Sequence, residues 1–98
     1  MEKNLQSFVM GYHYYKMVWC PVIGERLRCQ REPSNQYDQW AVAVMHDGDV
    51  VGHVPRELSK IFSRYLHGGY KVTAVITSRP ENQRRKGVAV PARYEIRK

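Results

Sequence analysis

The chain predicts a mainly β domain: a small six-stranded sheet, highly twisted or partly closed into a barrel, with one main α-helix at about residues 55–67 between strands. Three observations carry this. Arg26 to Arg31 alternates strictly, with Leu27 and Cys29 on one side and Arg26, Arg28 and Gln30 on the other, the period of a half-buried strand. Asp47-Gly48 sits between two apolar runs, the signature of a type I′ hairpin whose central residues both need positive φ. A single stretch follows helical periodicity: Leu58, Ile61, Phe62, Tyr65 and Leu66, bracketed by Pro55 and by Gly68-Gly69.

The elements follow in order. Leu5 to Tyr15 is rich in β-branched and aromatic residues and reads as a strand ending in "GYHYY". On a strand, Tyr12 and Tyr14 would share one face and His13 and Tyr15 the other. Residues 16–24, "KMVWCPVIG", read as an apolar loop with Met17, Val18 and Trp19 exposed. After the Arg26–Arg31 strand comes a polar knot, Glu32 to Asp38. Trp40 to Met45 and Asp49 to Val54 are the two arms of the Asp-Gly hairpin. Pro55 opens the helix where its missing N–H costs nothing, and Glu57 in the first turn favours the helix dipole. Tyr70 to Ser78 alternates again. Residues 79–87, "RPENQRRKG", read as a basic loop, and Val88 to Arg97 as a last strand bent at Pro91.

Ninety-eight residues, 43% of them hydrophobic, are enough for one domain with a modest core, spanning 1–98. No apolar run approaches the roughly 20 residues that span a bilayer. The opening "MEKNLQSFVMGYH" has neither a cationic leader before a long apolar run nor a small-residue cleavage site, so secretion is not expected. Cys20 and Cys29 are too few for a disulfide framework, which favours a reduced, nuclear or cytoplasmic setting. The net charge is +7, and it is uneven. Residues 1–49 hold five Lys/Arg against six acids, residues 50–98 eleven against three. An anionic partner is the natural expectation.

Catalysis is not expected. None of His13, His46, His53 and His67 stands at a family-typical spacing from a nucleophile, and no Walker loop, dinucleotide fingerprint or HExxH occurs. Cys20 and Cys29 lie nine residues apart, against two to four for a structural zinc pair. No cofactor or metal is implied.

Binding has better support. Tyrosine rings beside cations suit single-stranded nucleic acid, because bases stack on aromatic faces at roughly 1–3 kcal/mol each while Lys and Arg meet phosphates. "EPSNQYD" supports two readings: an elaborate turn capped by Asp38, or a pocket edge where Asn35 and Asp38 face a ligand. A carboxylate repels phosphate but accepts from a hydroxyl, so it would favour a free sugar hydroxyl end. In "VGHVPRELSK", His53, Arg56 and Lys60 flank the helix start, a ready anion site. "RRKG", Arg84 to Gly87, is a solvated loop or a backbone-tracking segment.

Taken together, "GYHYY", then "LRCQREPSNQYDQWAVAVMHDGDVVGHVPREL", then a helix and a strand, resemble the HIRAN domain found on certain Swi/Snf-family fork-remodelling DNA translocases. The resemblance covers about residues 8–78 and rests chiefly on the REPxNxYDxxAVxV core and the GHVP segment. It implies an oligonucleotide-binding-like barrel that captures the 3′ end of single-stranded DNA without catalysis of its own, and a monomer in solution is expected. It also implies a role as an accessory to a larger DNA-dependent ATPase or nuclease acting in DNA repair. Single-stranded RNA is the other strand chemistry such a site admits. By position, Tyr14 and Tyr15 would stack on terminal bases. Asn35, Tyr37 and Asp38 would form the end pocket, and His53 and Arg56 would meet the last phosphates. His13, Lys60, Arg84, Arg85 and Lys86 are further candidates for backbone contact. The chain departs from the family pattern at His13, where an arginine is expected, at Gln36 in place of proline, and at Arg56 in place of lysine. The alternative is a protein-interaction domain that keeps the fold without the DNA pocket, using Met17, Val18 and Trp19.

Overall fold

The computed structural model describes residues 2–83 and 87–98, with only the backbone of His13. Seven strands and two helices follow one another: β1 (Glu2–Val9), α1 (Tyr12–Tyr15), β2 (Arg26–Arg31), β3 (Val42–His46), β4 (Asp49–His53), α2 (Arg56–His67), β5 (Lys71–Ile76), β6 (Glu81–Gln83) and β7 (Gly87–Arg97). All strand pairings are antiparallel, in the order β1-β7-β5-β2-β3-β4, with β6 added to the start of β7. The sheet is incompletely closed. Just past the end of β1, Met10 bridges to His53 of the other edge strand through backbone hydrogen bonds of 2.8 and 3.0 Å.

That closure explains Gly52. A Cβ at this position would lie 2.4 Å from Val9 Cγ1 and 2.8 Å from the Met10 carbonyl oxygen. Only glycine lets the end of β1 come close enough to bridge to β4.

The mainly β, one-main-helix architecture matches the sequence reading, with a seventh strand that the reading lacked. Glu81–Gln83 pairs with Gly87–Ala89, so part of the expected 79–87 loop is a strand. Its residues are polar and mostly exposed, and backbone pairing rather than an apolar pattern makes it a strand. The Asp-Gly turn is as expected, with φ of 50° at Asp47 and 87° at Gly48.

The first strand ends earlier than predicted. β1 stops at Val9, and Gly11, at φ 84°, turns the chain into the short helix Tyr12–Tyr15. Packing overrides the β preference of these tyrosines. Tyr12 stands edge-on to Trp19 at 6.1 Å, and Tyr15 packs on the core. The two-face arrangement expected of a strand is therefore replaced by a helical turn.

The core comprises Val9, Val42, Val44, Val51, Phe62 and Tyr94 among others, all essentially sealed from solvent. Phe62 brings α2 onto the sheet through an edge contact with Tyr94 at 5.1 Å, and the Tyr94 hydroxyl donates to the Phe8 carbonyl at 2.6 Å. Burial of this hydroxyl raises its pKa well above the ordinary tyrosine value. The helix face differs from the periodicity in two respects. Ile61 is 53% exposed, whereas Ser59 and Ser63 are buried. The helix presents a polar seam to the Arg31–Trp40 segment, with Ser59 meeting Asp38 and Ser63 meeting Arg31. Elsewhere on the sheet, Glu95 of β7 accepts from Arg26 and Arg93 and forms an ion pair with Arg97 at 3.3 Å. The Arg26 hydrogen bond is the largest of the causes that hold its carboxyl below the ordinary range.

Candidate functional site

The polar knot is a turn held by its own side chains. The Asn35 Oδ1 accepts from the backbone N–H of Tyr37 at 2.8 Å and of Asp38 at 3.0 Å, an Asx-type turn. Asp38 accepts from the Trp40 backbone N–H through Oδ1 at 2.9 Å and from the Ser59 hydroxyl through Oδ2 at 3.0 Å. Arg56 donates to the Tyr37 carbonyl at 2.9 Å, which ties the start of α2 to the tip of the turn.

Turn and pocket edge are one structure. Asn35, Tyr37, Asp38, His53 and Arg56 line a single cleft of about 320 Å³, with Met10, Ala41, Val42 and Val54 as its apolar wall. The Tyr37 ring is 78% exposed at its mouth. Two stretches some fifteen residues apart meet here because β3 and β4 form the hairpin between them, and the Met10–His53 bridge fixes the third side.

Glu32, which the sequence reading treated only as the edge of the knot, holds this cleft together. Its Oε1 accepts from His53 Nε2 at 2.6 Å and from Asn35 Nδ2 at 3.3 Å. A carboxylate only accepts, so Nε2 of His53 carries the proton in this contact. No local pattern marks Glu32, because His53 reaches it only once the β3–β4 hairpin has formed.

The other predicted residues are distributed around this cleft. Tyr15 lies beside it, its ring centroid 6.5 Å from that of His53, and burial followed by the Glu32 charge raises its hydroxyl pKa. Tyr14, on the outer side of α1, is 77% exposed. Lys60 is elsewhere, with its ammonium 5.4 Å from the centroid of the Trp40 ring. Arg84, Arg85 and Lys86 lie outside the described residues, as does the side chain of His13. Trp19 is not exposed as predicted: it is 3% accessible and its indole N–H donates to Glu25 at 2.9 Å. A large flat ring beside the sheet gains more from burial than from solvent. Met17 and Val18 are exposed, together with Val22 and Ile23. Among the described residues no group of His, Cys, Asp or Glu could hold a metal ion, and no helix is long and apolar enough to cross a membrane.

The HIRAN domain family model matches residues 3–95. The chain belongs to the HIRAN domain family. The match extends beyond the motif-bearing 8–78 to most of β1 and β7, which pair with each other at one side of the sheet. HIRAN domains are in general DNA-binding modules and are not catalytic by themselves. Two solved structures share the fold. The HIRAN domain of human HLTF superposes with a TM-score of 0.78 at 23% identity, covering 95% of this chain and 74% of that one. A protein from Lactobacillus plantarum superposes with a TM-score of 0.66 at 17% identity, over the whole of both chains. Comparison with curated proteins finds no match.

Proposed function

We propose that this HIRAN domain binds single-stranded DNA at a free 3′-hydroxyl end, in the cleft between the Asn35–Asp38 turn and the His53–Arg56 junction. One observation carries the reading: an exposed stacking ring, a carboxylate with spare acceptor capacity and a cation converge on one cleft. Tyr37 stacks on the terminal base, with Tyr14 and Tyr15 of α1 on the approach side. Each Asp38 oxygen already accepts one protein hydrogen bond, which leaves about half of the roughly four lone-pair positions of a carboxylate for the O3′–H. Arg56, anchored by the Tyr37 carbonyl, meets the last phosphate. His53, oriented by Glu32 through Nε2, lies beside Arg56 on the same wall of the cleft.

The discrimination has a physical size. A terminal phosphate would bring negative charge beside Asp38 and Glu32. At 4 Å that repulsion is about 1 kcal/mol per charge pair in water and about 4 kcal/mol at an effective dielectric of 20. The cleft is open, so the lower end applies, a preference of roughly five- to tenfold for the hydroxyl.

The test is an NMR titration of the 15N-labelled domain with a short 3′-hydroxyl oligodeoxynucleotide. Amide shifts of Asn35, Tyr37, Asp38, His53 and Arg56 should move together and saturate at one concentration. Shifts confined to other surfaces would remove the assignment. Attachment to a DNA translocase or nuclease, which the domain would orient at forks or damaged ends in the nucleus, is the cellular role that fits such a module.

A second reading has its own observation. The loop over residues 16–24 exposes Met17, Val18, Val22 and Ile23, apolar side chains that a protein partner would cover. It predicts no salt-dependent DNA binding, whereas end binding predicts affinity that falls steeply with salt.

A further inference from the structure

The end cleft is poor in positive charge for a site on a polyanion. Among the described residues that line it Arg56 is the one permanent cation, and both Asp38 and the adjoining Glu32 are acidic. A second cleft, of about 380 Å³, opens beside it and has the opposite character. Trp40, Arg31, Arg64 and His67 line it, and among the described residues no carboxylate does. Lys60 adds a further cation over the Trp40 ring.

The two clefts share a wall. Trp40 donates its backbone N–H to Asp38, and Ser59, the other partner of Asp38, stands one helical turn before Ser63 of the second cleft. Four residues of helix separate them by about 6 Å along the axis. The cationic wall is fixed in place. Arg31 donates through Nε to Ser63 Oγ at 3.1 Å and through a terminal nitrogen to His67 Nδ1 at 3.2 Å. Guanidinium only donates, so Nδ1 of His67 is the acceptor. Arginine has five N–H donors, so Arg31 keeps others for an anion.

We propose that this second cleft is a subsite for an internal nucleotide of the bound single strand, whose base stacks on Trp40 while Arg31 and Arg64 take its phosphates. Lys60 does not block it. An exposed cation–π contact is weaker than the stacking of a base on the same ring. The ammonium therefore yields the ring and remains beside the incoming phosphate. The strand then runs from the end cleft along α2, and the two clefts divide the work: the first reads the hydroxyl end, the second supplies affinity from the nucleotides before it. This rests on the end-binding reading above.

The experiment compares 5′-labelled dT3 and dT10, both with 3′-hydroxyl ends, by fluorescence anisotropy. Wild type should bind dT10 about tenfold more tightly than dT3 beyond the statistical gain in sites, the equivalent of one stacked base. Trp40→Ala removes the ring but keeps the backbone N–H on Asp38, so dT10 should weaken about tenfold while dT3 is unchanged. Arg64→Gln, an exposed position where folding is not at stake, should lower the salt slope for dT10 by about 0.7 and leave that for dT3 alone. If Trp40→Ala does not fold, Arg64→Gln decides. Equal binding of dT3 and dT10 by wild type, or unchanged dT10 binding in both variants, overturns the subsite and leaves end binding standing. Absence of binding to either strand by wild type overturns both.

Discussion

Replacing Gly52 with alanine should open the sheet. The added methyl would sit 2.4 Å from Val9 Cγ1 and 2.8 Å from the Met10 carbonyl oxygen, inside any real carbon contact. Neither neighbour can yield freely: Val9 is fully buried in the core, and Met10 is bonded through its backbone to His53. Overpacking by one methyl costs about 1–3 kcal/mol. Separating β1 from β4 also loses the two bridge hydrogen bonds, each worth about 0.5–1.5 kcal/mol. A loss of at least about 2 kcal/mol lowers the melting temperature of a domain this size by roughly 10 °C. Urea unfolding monitored by circular dichroism, with a thermal scan, measures both. Gly68→Ala is the control, because at Gly68 φ is −81° and the nearest atom to the added methyl is 3.4 Å away. A Gly52→Ala domain within 0.5 kcal/mol of wild type would refute the close-approach argument and with it the account of how His53 is held.

Other consequences are equally direct. Burial pushes the Cys29 thiol up to about 12, whereas Cys20 is exposed, so a thiol reagent at pH 8 should modify one cysteine per folded chain and two after unfolding; two equally fast thiols in the native state would contradict the buried position of β2. Glu95 has a folded pKa below the ordinary glutamate value of 4.5, so its contribution to stability is complete above that pH and is lost as the pH falls through the depressed value. Glu95→Gln should therefore be less stable at pH 7 and lose less stability between about pH 5 and 3, and stability curves that run parallel to wild type would refute this. Tyr37→Ala should weaken binding of a 3′-hydroxyl strand about five- to a hundredfold, the loss of one stacked base, without changing the melting temperature. Glu32→Ala removes the acceptor shared by His53 and Asn35 and one of the two negative charges beside the strand end, and should cut the hydroxyl-over-phosphate ratio by about two- to threefold; an unchanged ratio would show that Glu32 does not set the end pocket.

Much of the fold was legible because local rules and tertiary demands agree. The Arg26–Arg31 alternation, the Asp47-Gly48 turn and the helix between Pro55 and Gly68 were all readable, since each depends on residues close in sequence. The misreadings come from places where packing decides. "GYHYY" has strand-forming residues, yet a left-handed Gly11 and the pull of Trp19 and the core wind it into a helical turn. Ser59 and Ser63 replaced Ile61 on the buried face because they answer Asp38 and Arg31, partners more than twenty residues away. The same holds for the site. Asn35, Tyr37, Asp38, His53 and Arg56 could be named from motif resemblance, and the structure brings them around one cleft. Glu32 and Trp40 could not, since their importance lies in what they touch across the hairpin and the helix.

The central claim is that the cleft distinguishes how a single strand ends. Fluorescence anisotropy with one short oligodeoxynucleotide, carrying either a 3′-hydroxyl or a 3′-phosphate at fixed salt, measures it most directly. The account predicts tighter binding of the hydroxyl form by roughly five- to tenfold. Equal affinity for the two ends, or preference for the phosphate, would contradict it.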